Sequence, residues 1–370
     1  MSTYRAAVIG LGRMGSTFDD EMDQGGSIFL PYCHAPSYCA SPRTDLVAGA
    51  DPHDEQRQIF GDRWGLAADQ LFADHREMLE KARPEIVSVC TTARHRADIV
   101  ADCARAGVKA IWAEKPIALT LAAADQMLAV CREAGTAVAI NCARRWNPFF
   151  AETRKKIDAG ELGDILQVTA YAQCGLSHNG SHLIDTVRYL AGGEIEWVFG
   201  EIESDAVAAG ENDPQGNGYL AFDNGVRSYI RGTPTGVAMW EFDIIGTRGR
   251  VRSLAGAEEW EWTEIVDGGN KGRGVAAKKP FPWPTRMPGM GITIIEDLVN
   301  AIDTGQPPRC SGDDGLKALE IALALRESHR RGGTKIALPL ADRALGIQSS
   351  EIAQDHTPAR VRRQQAATGS

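Results

Sequence analysis

The chain has 370 residues, 43% apolar and 24% charged, the balance of a folded globular protein and too long for one small module. Forty basic residues against 49 acidic ones leave a net charge of −9. That charge repels phosphate backbones and argues against a nucleic-acid partner, and the basic cluster Arg360, Arg362 and Arg363 is too small to reverse it. No run approaches the ~18 apolar residues of a membrane span. The first apolar stretch ends in glycines at Gly10 and Gly12, which suits a buried strand better than a signal peptide. None of the eight cysteines forms a C-x-x-C pair or a zinc spacing. They read as reduced buried thiols of a cytoplasmic protein. With no long apolar run, no membrane partner is expected.

Five apolar runs follow one another in the first third: Arg5 to Gly10, Asp45 to Asp51, Pro84 to Thr92, Val108 to Glu114 and Ala137 to Asn141. Runs of this length predict parallel strands buried on both faces. Helical stretches lie between them, among them Arg96 to Ala106 and Leu121 to Ala134, each stopped by a glycine (Gly107, Gly135). Strand–helix alternation predicts an α/β domain with a parallel sheet. The pattern changes near Asn141. After a helix at 151–159 come strand candidates at 165–174, 197–204, 218–222, 226–232, 239–245 and 251–254, with little helix between them. They predict a mostly antiparallel sheet. A long loop is expected at 268–291, then helices at 293–302 and 315–330 and a last strand at 335–340.

Gly10-Leu11-Gly12-Arg13-Met14-Gly15 is a G-x-G-x-x-G pattern after the first strand. Gly10 permits the tight turn, Gly12 lets the backbone approach a pyrophosphate, and Gly15 lets the next segment pack on the strand. Unpaired N–H groups there suit phosphate oxygens. The second strand ends at Asp51, whose carboxylate would accept the adenosine ribose hydroxyls and repel a 2′-phosphate. NAD is therefore expected, with NADP as the alternative because Arg57 is near enough in sequence to reach a 2′-phosphate. Asp51 lies further from Gly15 than the usual ~20 residues. The intervening segment 19–42 reads as an insertion, either a surface loop or a flap near the cofactor or substrate.

Glu114-Lys115-Pro116 follows the fourth strand at the edge where ligands of open parallel sheets collect. A lysine there can favour a developing alkoxide. His178 and His182 lie close together, and His182 falls near the start of a helix, where an imidazole suits general-base work. Asp185, three residues on, could orient it. Two histidines without an obvious third ligand do not make a metal site, and none is expected. Tyr171, Gln173, His178 and Asn179, with Trp283 and Arg286, are candidate sugar contacts. Lys271, Arg273, Lys278 and Lys279 are a basic cluster that a phosphosugar could use, or a solvated charge run.

These motifs resemble the Gfo/Idh/MocA oxidoreductases. The likeness rests on Gly10-x-Gly12-x-x-Gly15, Thr91-Thr92 with His95, Ala106-Gly107-Val108 leading into Glu114-Lys115-Pro116, and Arg144-Arg145-Trp146-Asn147-Pro148. It continues through Gly180-x-His182-x-x-Asp185, Gly246-Thr247-Arg248-Gly249 and Leu338-Pro339-Leu340. The resemblance implies a Rossmann domain, 1–142, then an α+β domain, 143–341, whose open sheet makes a dimer or tetramer interface; 342–370 would be a flexible tail. It implies NAD(P)-dependent hydride transfer to or from a secondary alcohol of a sugar, cyclic polyol or derivative. Lys115 and His182 match the family's active-site lysine and histidine, while His178 stands where the family commonly has aspartate. His178 would then bind substrate or lend a second proton-transfer group. The resemblance adds Arg13, Met14, Thr91, Thr92, His95, Glu114, Lys115 and Arg145 to the cofactor contacts, and Trp146 to the substrate side. Two other activities fit the same motifs: a non-redox glycoside-processing enzyme with tightly held NAD, and a non-catalytic ligand sensor.

Overall fold

Runs of small and β-branched residues at the chain's start form strands covered on both faces. In this computed structural model, which describes residues 3–22, 30–237, 240–270, 273–285 and 288–349, they are β1 (Tyr4–Ile9), β2 (Thr44–Ala50), β3 (Leu71–Phe72), β4 (Ile86–Val89), β5 (Ala110–Ala113) and β6 (Ala137–Ile140). All pair in parallel, in the order β3-β2-β1-β4-β5-β6. The order reverses between β1 and β4, which makes a crevice at their C-terminal ends. β3 is two residues long, too short to leave a pattern in the sequence.

The chain divides into two compact units, residues 1–146 with 286–313, and 147–285 with 314–348. The helix Met290–Thr304 returns to the first unit, where it packs on the helix His34–Ala40 and beside β5 and β6. Its buried Ile294, Ile295, Leu298 and Val299 supply the apolar cover. The segment read as an insertion is in part the first crossover helix, His34–Ala40, which delivers the chain to β2. Asp19 closes its base by accepting the N–H groups of Tyr32 and Cys33.

The second unit holds a nine-stranded sheet: β7 (Ile165–Ala172), β8 (Ile195–Ile202), β9 (Gly216–Phe222), β10 (Arg227–Gly232), β11 (Glu241–Gly246), β12 (Gly249–Leu254), β13 (Glu259–Asn270), β14 (Arg273–Lys279) and β15 (Ile336–Ala337). Its order is β14-β13-β12-β11-β7-β10-β9-β8-β15. Within this sheet only β7 and β10 pair in parallel among the described residues. The expected loop at 268–291 is corrected here, because β13 and β14 form a hairpin that extends the sheet. Its signal is the alternation in Glu259-Trp260-Glu261-Trp262, obscured by the glycines near the turn. Lys278 pairs with Glu261 at 3.0 Å and Lys279 with Glu264, so cross-strand carboxylates already occupy these two lysines of the basic cluster. Lys271 and the Arg273 side chain lie outside the described residues, as does Arg286.

One face of this sheet is buried through Val168, Ala170 and Ala172 of β7, against which the helix Gly180–Ala191 packs. The opposite face is open. Across it the register sets Phe199 beside Tyr219, Tyr219 beside Tyr229, and Tyr229 beside Thr169. All three rings are about two-fifths exposed.

The expected tail is bound at its start. Arg326 donates to the Gly346 carbonyl at 2.5 Å, the Gln348 N–H donates to the Glu211 carbonyl at 2.7 Å, and Ile347 is buried. Residues 350–370, including Arg360, Arg362 and Arg363, lie outside the described residues. No helix among the described residues is long and apolar enough to cross a membrane. The cysteines are unbridged; six are buried, Cys90 is half-buried and Cys39 is exposed.

Candidate functional site

The glycine turn has the geometry its spacing predicts. Gly10 takes φ +88°, and a Cβ there would meet the Cys90–Thr91 backbone at 2.9 Å. A Cβ on Gly15 would collide with the Gly10 carbonyl oxygen. Gly12 is different: a Cβ there meets nothing within 4 Å, so the backbone is left open to a ligand. The next five residues, Arg13–Thr17, form a short wide helical turn. Arg13 points away from this role, because it is exposed and bound to Glu21 at 2.6 Å. Met14 is half-buried in the same turn.

Asp51 stands just past β2 and is buried. Its carboxylate accepts the Leu11 N–H and the His53 N–H, each at 3.0 Å. Those bonds fix its orientation and leave lone pairs for further donors. Arg57 donates to the Asp51 carbonyl at 2.6 Å and pairs with Asp54. It is thus held to the chain's own acceptors, which removes it as the expected phosphate ligand. Beside these groups lies a cavity of about 970 Å³ at the C-terminal ends of β1, β2 and β4. Gly10, Gly12, Asp51, Thr91, Thr92 and His95 all line it. Thr91 Oγ1 is buried with no hydrogen-bond partner among the described residues. A buried hydroxyl without a partner is costly, and a bound group that reached it would relieve that cost. The open Gly12 backbone, the ribose-ready Asp51 and the unpaired Thr91 fit a dinucleotide.

Glu114 and Lys115 follow β5, and the Lys115–Pro116 bond is cis. The Glu114 side chain is buried in a network that the sequence reading missed. Asn141 donates to Oε1 at 2.6 Å, His34 Nε2 lies 3.3 Å from Oε1, and the Lys115 N–H donates to Oε2 at 3.2 Å. Burial alone would raise the Glu114 pKa. The His34 hydrogen bond, the Lys115 charge and the Asn141 hydrogen bond outweigh it and hold the group well below the usual carboxylate range. Burial lowers the His34 pKa, so His34 is neutral. An ionised Glu114 then assigns its proton to Nε2, and Nδ1 accepts from Ser88 at 2.8 Å. Tyr38 lies 2.8 Å beyond Ser88, and Trp112 stacks on the imidazole at 3.7 Å. Arg96 is also buried and donates to the carbonyls of Thr91 and Pro116, joining the loops after β4 and β5. Burial lowers its pKa to about 10 despite the Glu114 charge. A histidine or arginine inside an apolar helical stretch was the only sequence signal for either residue.

Arg145 and Trp146 are both buried and bonded to groups of the chain itself. Trp146 is 1% exposed and donates its indole N–H to Asp297 at 2.9 Å. Arg145 is buried and donates to the Arg309 carbonyl at 2.7 Å. Trp146 thus holds the helix Met290–Thr304 itself, and Arg145 holds the segment that follows it.

In the second unit, His182 lies in the first turn of the helix Gly180–Ala191, as its spacing predicts. It is buried, with the Trp240 ring edge-on at 5.9 Å. Asp185 is fully buried, 3.8 Å from Arg188 on the same helix. Asn179 is exposed at the helix start, and His178 precedes it. Tyr171 is separated from these groups. It belongs to the open face of β7, opposite Val168 and Ala170, and it neighbours Glu241 of β11. Gln173 donates to the Pro234 carbonyl. The alternation along β7 shows two faces, but not which one the histidine helix covers.

Comparison with known proteins gives the family and the fold. Residues 4–142 match the oxidoreductase family with an NAD-binding Rossmann fold, and residues 170–338 match that family's C-terminal alpha/beta domain. The chain is 24% identical over 347 residues to myo-inositol 2-dehydrogenase of Thermotoga maritima, covering 88% of this chain and 96% of that one. It is 24% identical over 348 residues to scyllo-inositol 2-dehydrogenase (NAD(+)) of Bacillus subtilis, covering 89% and 94%. The aldose-aldose oxidoreductase of Caulobacter crescentus, solved with glycerol, shares the fold at a TM-score of 0.73 and 21% identity, covering 91% of this chain and all of that one. The two family matches together span most of the chain, and the protein belongs to the Gfo/Idh/MocA family of NAD-binding oxidoreductases.

Proposed function

We propose that the protein is an NAD-dependent dehydrogenase of a cyclic polyol or sugar, acting on one secondary hydroxyl. The observation that carries the reading is the cavity beside Gly12, Asp51 and Thr91, together with the ionised Glu114 and the lysine that follows it. The dehydrogenases of myo- and scyllo-inositol among its relatives support the substrate class. NAD, when bound, accepts hydride from the carbinol carbon.

The chain's own residues do the rest. Gly10, Gly12 and Gly15 shape the pyrophosphate turn, Asp51 holds the ribose, and Thr91, Thr92 and His95 line the wall. Lys115 hydrogen-bonds the reacting oxygen and stabilises the negative charge that develops on it. His182 accepts the hydroxyl proton, and His178 is the second imidazole of the substrate side. The same groups run in reverse to reduce the ketone. Lys115→Ala and His182→Ala test the assignment: each should lower turnover by ~100-fold or more, with NADH binding retained in His182→Ala. Near-normal turnover in both variants would refute it.

The open sheet face carrying Phe199, Tyr219 and Tyr229 fits a second copy of the chain, as a dimer or as half of a tetramer. The unbridged cysteines fit a reducing compartment, and we place the protein in the cytoplasm.

A further inference from the structure

His178 stands where an aspartate is expected, yet a carboxylate is present beside it. Asp213, from the loop before β9, lies with Oδ2 3.4 Å from His178 Nδ1. The other carboxylate oxygen accepts the Ser177 N–H at 2.7 Å, the Ser177 hydroxyl at 2.8 Å and the His178 N–H at 3.2 Å. Gly175 makes room for it, because a Cβ there would occupy the Asp213 carboxylate. Asp213 is thus fixed on one side by three donors and presents its remaining oxygen to the imidazole.

The far side of the ring carries the second observation. His178 Nε2 is buried and has no hydrogen-bond partner among the described residues. A neutral imidazole has one donor and one acceptor nitrogen, and the partner of one decides the role of the other. Nδ1 has the Asp213 carboxylate at 3.4 Å and the Ser177 hydroxyl oxygen at 3.4 Å. That hydroxyl gives its own proton to Asp213, so both neighbours of Nδ1 are acceptors, the proton resides there, and Nε2 keeps its lone pair.

We propose that Asp213 is a positioning residue that holds His178 in the Nδ1–H form, making Nε2 a proton acceptor for the substrate's hydroxyl groups. This rests on the dehydrogenase reading. When the alcohol is oxidised, its C–H hydride goes to NAD and its O–H bond breaks. His178 Nε2 is a second acceptor for that proton beside His182, and the resulting imidazolium is balanced by Asp213. The arrangement of carboxylate, imidazole and hydroxyl is the one that prepares a histidine base elsewhere. Asp213 is poised for it: burial pushes its pKa up, but the His178 and Ser177 contacts prevail and hold the carboxyl below its ordinary value. Sequence reading could not pair residues thirty-five positions apart in a loop without periodicity.

The test is ¹⁵N-histidine NMR on the full chain with NADH bound, the His178 signals being assigned by their loss in His178→Gln. The expected wild-type spectrum shows Nδ1 protonated and Nε2 bare at neutral pH. Asp213→Asn turns an amide N–H toward Nδ1 and should move the proton to Nε2, whereas Ser177→Ala should leave the tautomer unchanged. A wild-type Nε2–H form overturns the proposal, and so does a folded Asp213→Asn variant that keeps Nδ1–H. The wild-type spectrum decides even if a variant misfolds. With myo-inositol and NAD as the probe pair, Asp213→Asn should lower kcat by roughly tenfold or more with KM little changed. Asp213→Asn in a His178→Gln background should cost nothing further. Additive losses would make Asp213 merely structural. If wild type turns over no polyol while the tautomer pattern holds, the dehydrogenase reading fails and the Asp213–His178 pairing stands.

Discussion

The Asp51 carboxylate accepts the Leu11 N–H at 3.0 Å, tying the end of the second strand to the middle of the glycine turn. One side chain thereby braces the glycine turn and, in the proposed binding mode, also holds the ribose. Asp51→Ala should weaken NADH binding by ~10- to 100-fold, the scale of a charge-assisted hydrogen bond. It should also shrink the preference for NADH over NADPH. Calorimetric titration of both nucleotides checks this, and an unchanged preference would remove Asp51 as selector.

Gly12 and Gly15 should respond differently to the same change. Gly15→Ala drives a Cβ into the Gly10 carbonyl, so stability should fall by about 1–3 kcal/mol along with NADH binding. Gly12→Ala meets no neighbour. It should fold with an unchanged Tm and still lose NADH affinity, because the methyl group occupies the backbone's approach to the pyrophosphate. Thermal melts with and without NADH separate the two cases.

The buried His34–Glu114 pair predicts acid sensitivity in two steps. His34 has a lowered pKa in the folded chain, so below about 6.5 the unfolded chain gains a proton that the folded one does not, and stability falls with pH. Glu114 is also depressed: its contribution is complete above the ordinary glutamate value of about 4.3 and is lost as pH falls below it toward the depressed one. Tm against pH should therefore decline below neutrality and again in the acid range. Glu114→Gln should flatten the second decline and His34→Asn the first. Parallel curves for wild type and both variants would exclude the pair as the cause.

Trp146→Ala should act on stability before catalysis. The side chain is 1% exposed and bonded to Asp297, so its loss should cost about 3–5 kcal/mol. Denaturant titration measures this; a raised KM at unchanged stability would restore Trp146 to the substrate side.

Much of this fold was legible because buried parallel strands leave continuous apolar runs. The glycine turn, the strand ending before Asp51 and the helix Leu121–Ala134 follow from local chemistry alone. The hairpin β13–β14 was missed because glycines interrupt its alternation, and β3 because two residues carry no period. The Glu114 network was hidden for a different reason. His34, Asn141 and Glu114 meet only when three βα segments are packed together, and no spacing in the chain encodes that. Asp213 is the same case in the second unit, and the return of the helix Met290–Thr304 to the first unit shows that an amphipathic pattern does not name the sheet it covers.

Tyr219 and Tyr229 face each other on the open sheet. A Tyr219→Glu, Tyr229→Glu double variant should sediment as a smaller species than wild type while each chain stays folded. Equal sedimentation would move the contact between copies elsewhere.

Incubating the protein with NAD and a panel of myo-inositol, scyllo-inositol and aldoses, and measuring NADH against product, decides whether it is a dehydrogenase. At least one of these should yield a ketone or lactone with one NADH formed per product molecule, and Lys115→Ala should abolish both together. Conversion without net NADH would point to a non-redox enzyme that retains its nucleotide, and NADH binding without conversion of any polyol or sugar would contradict the dehydrogenase assignment.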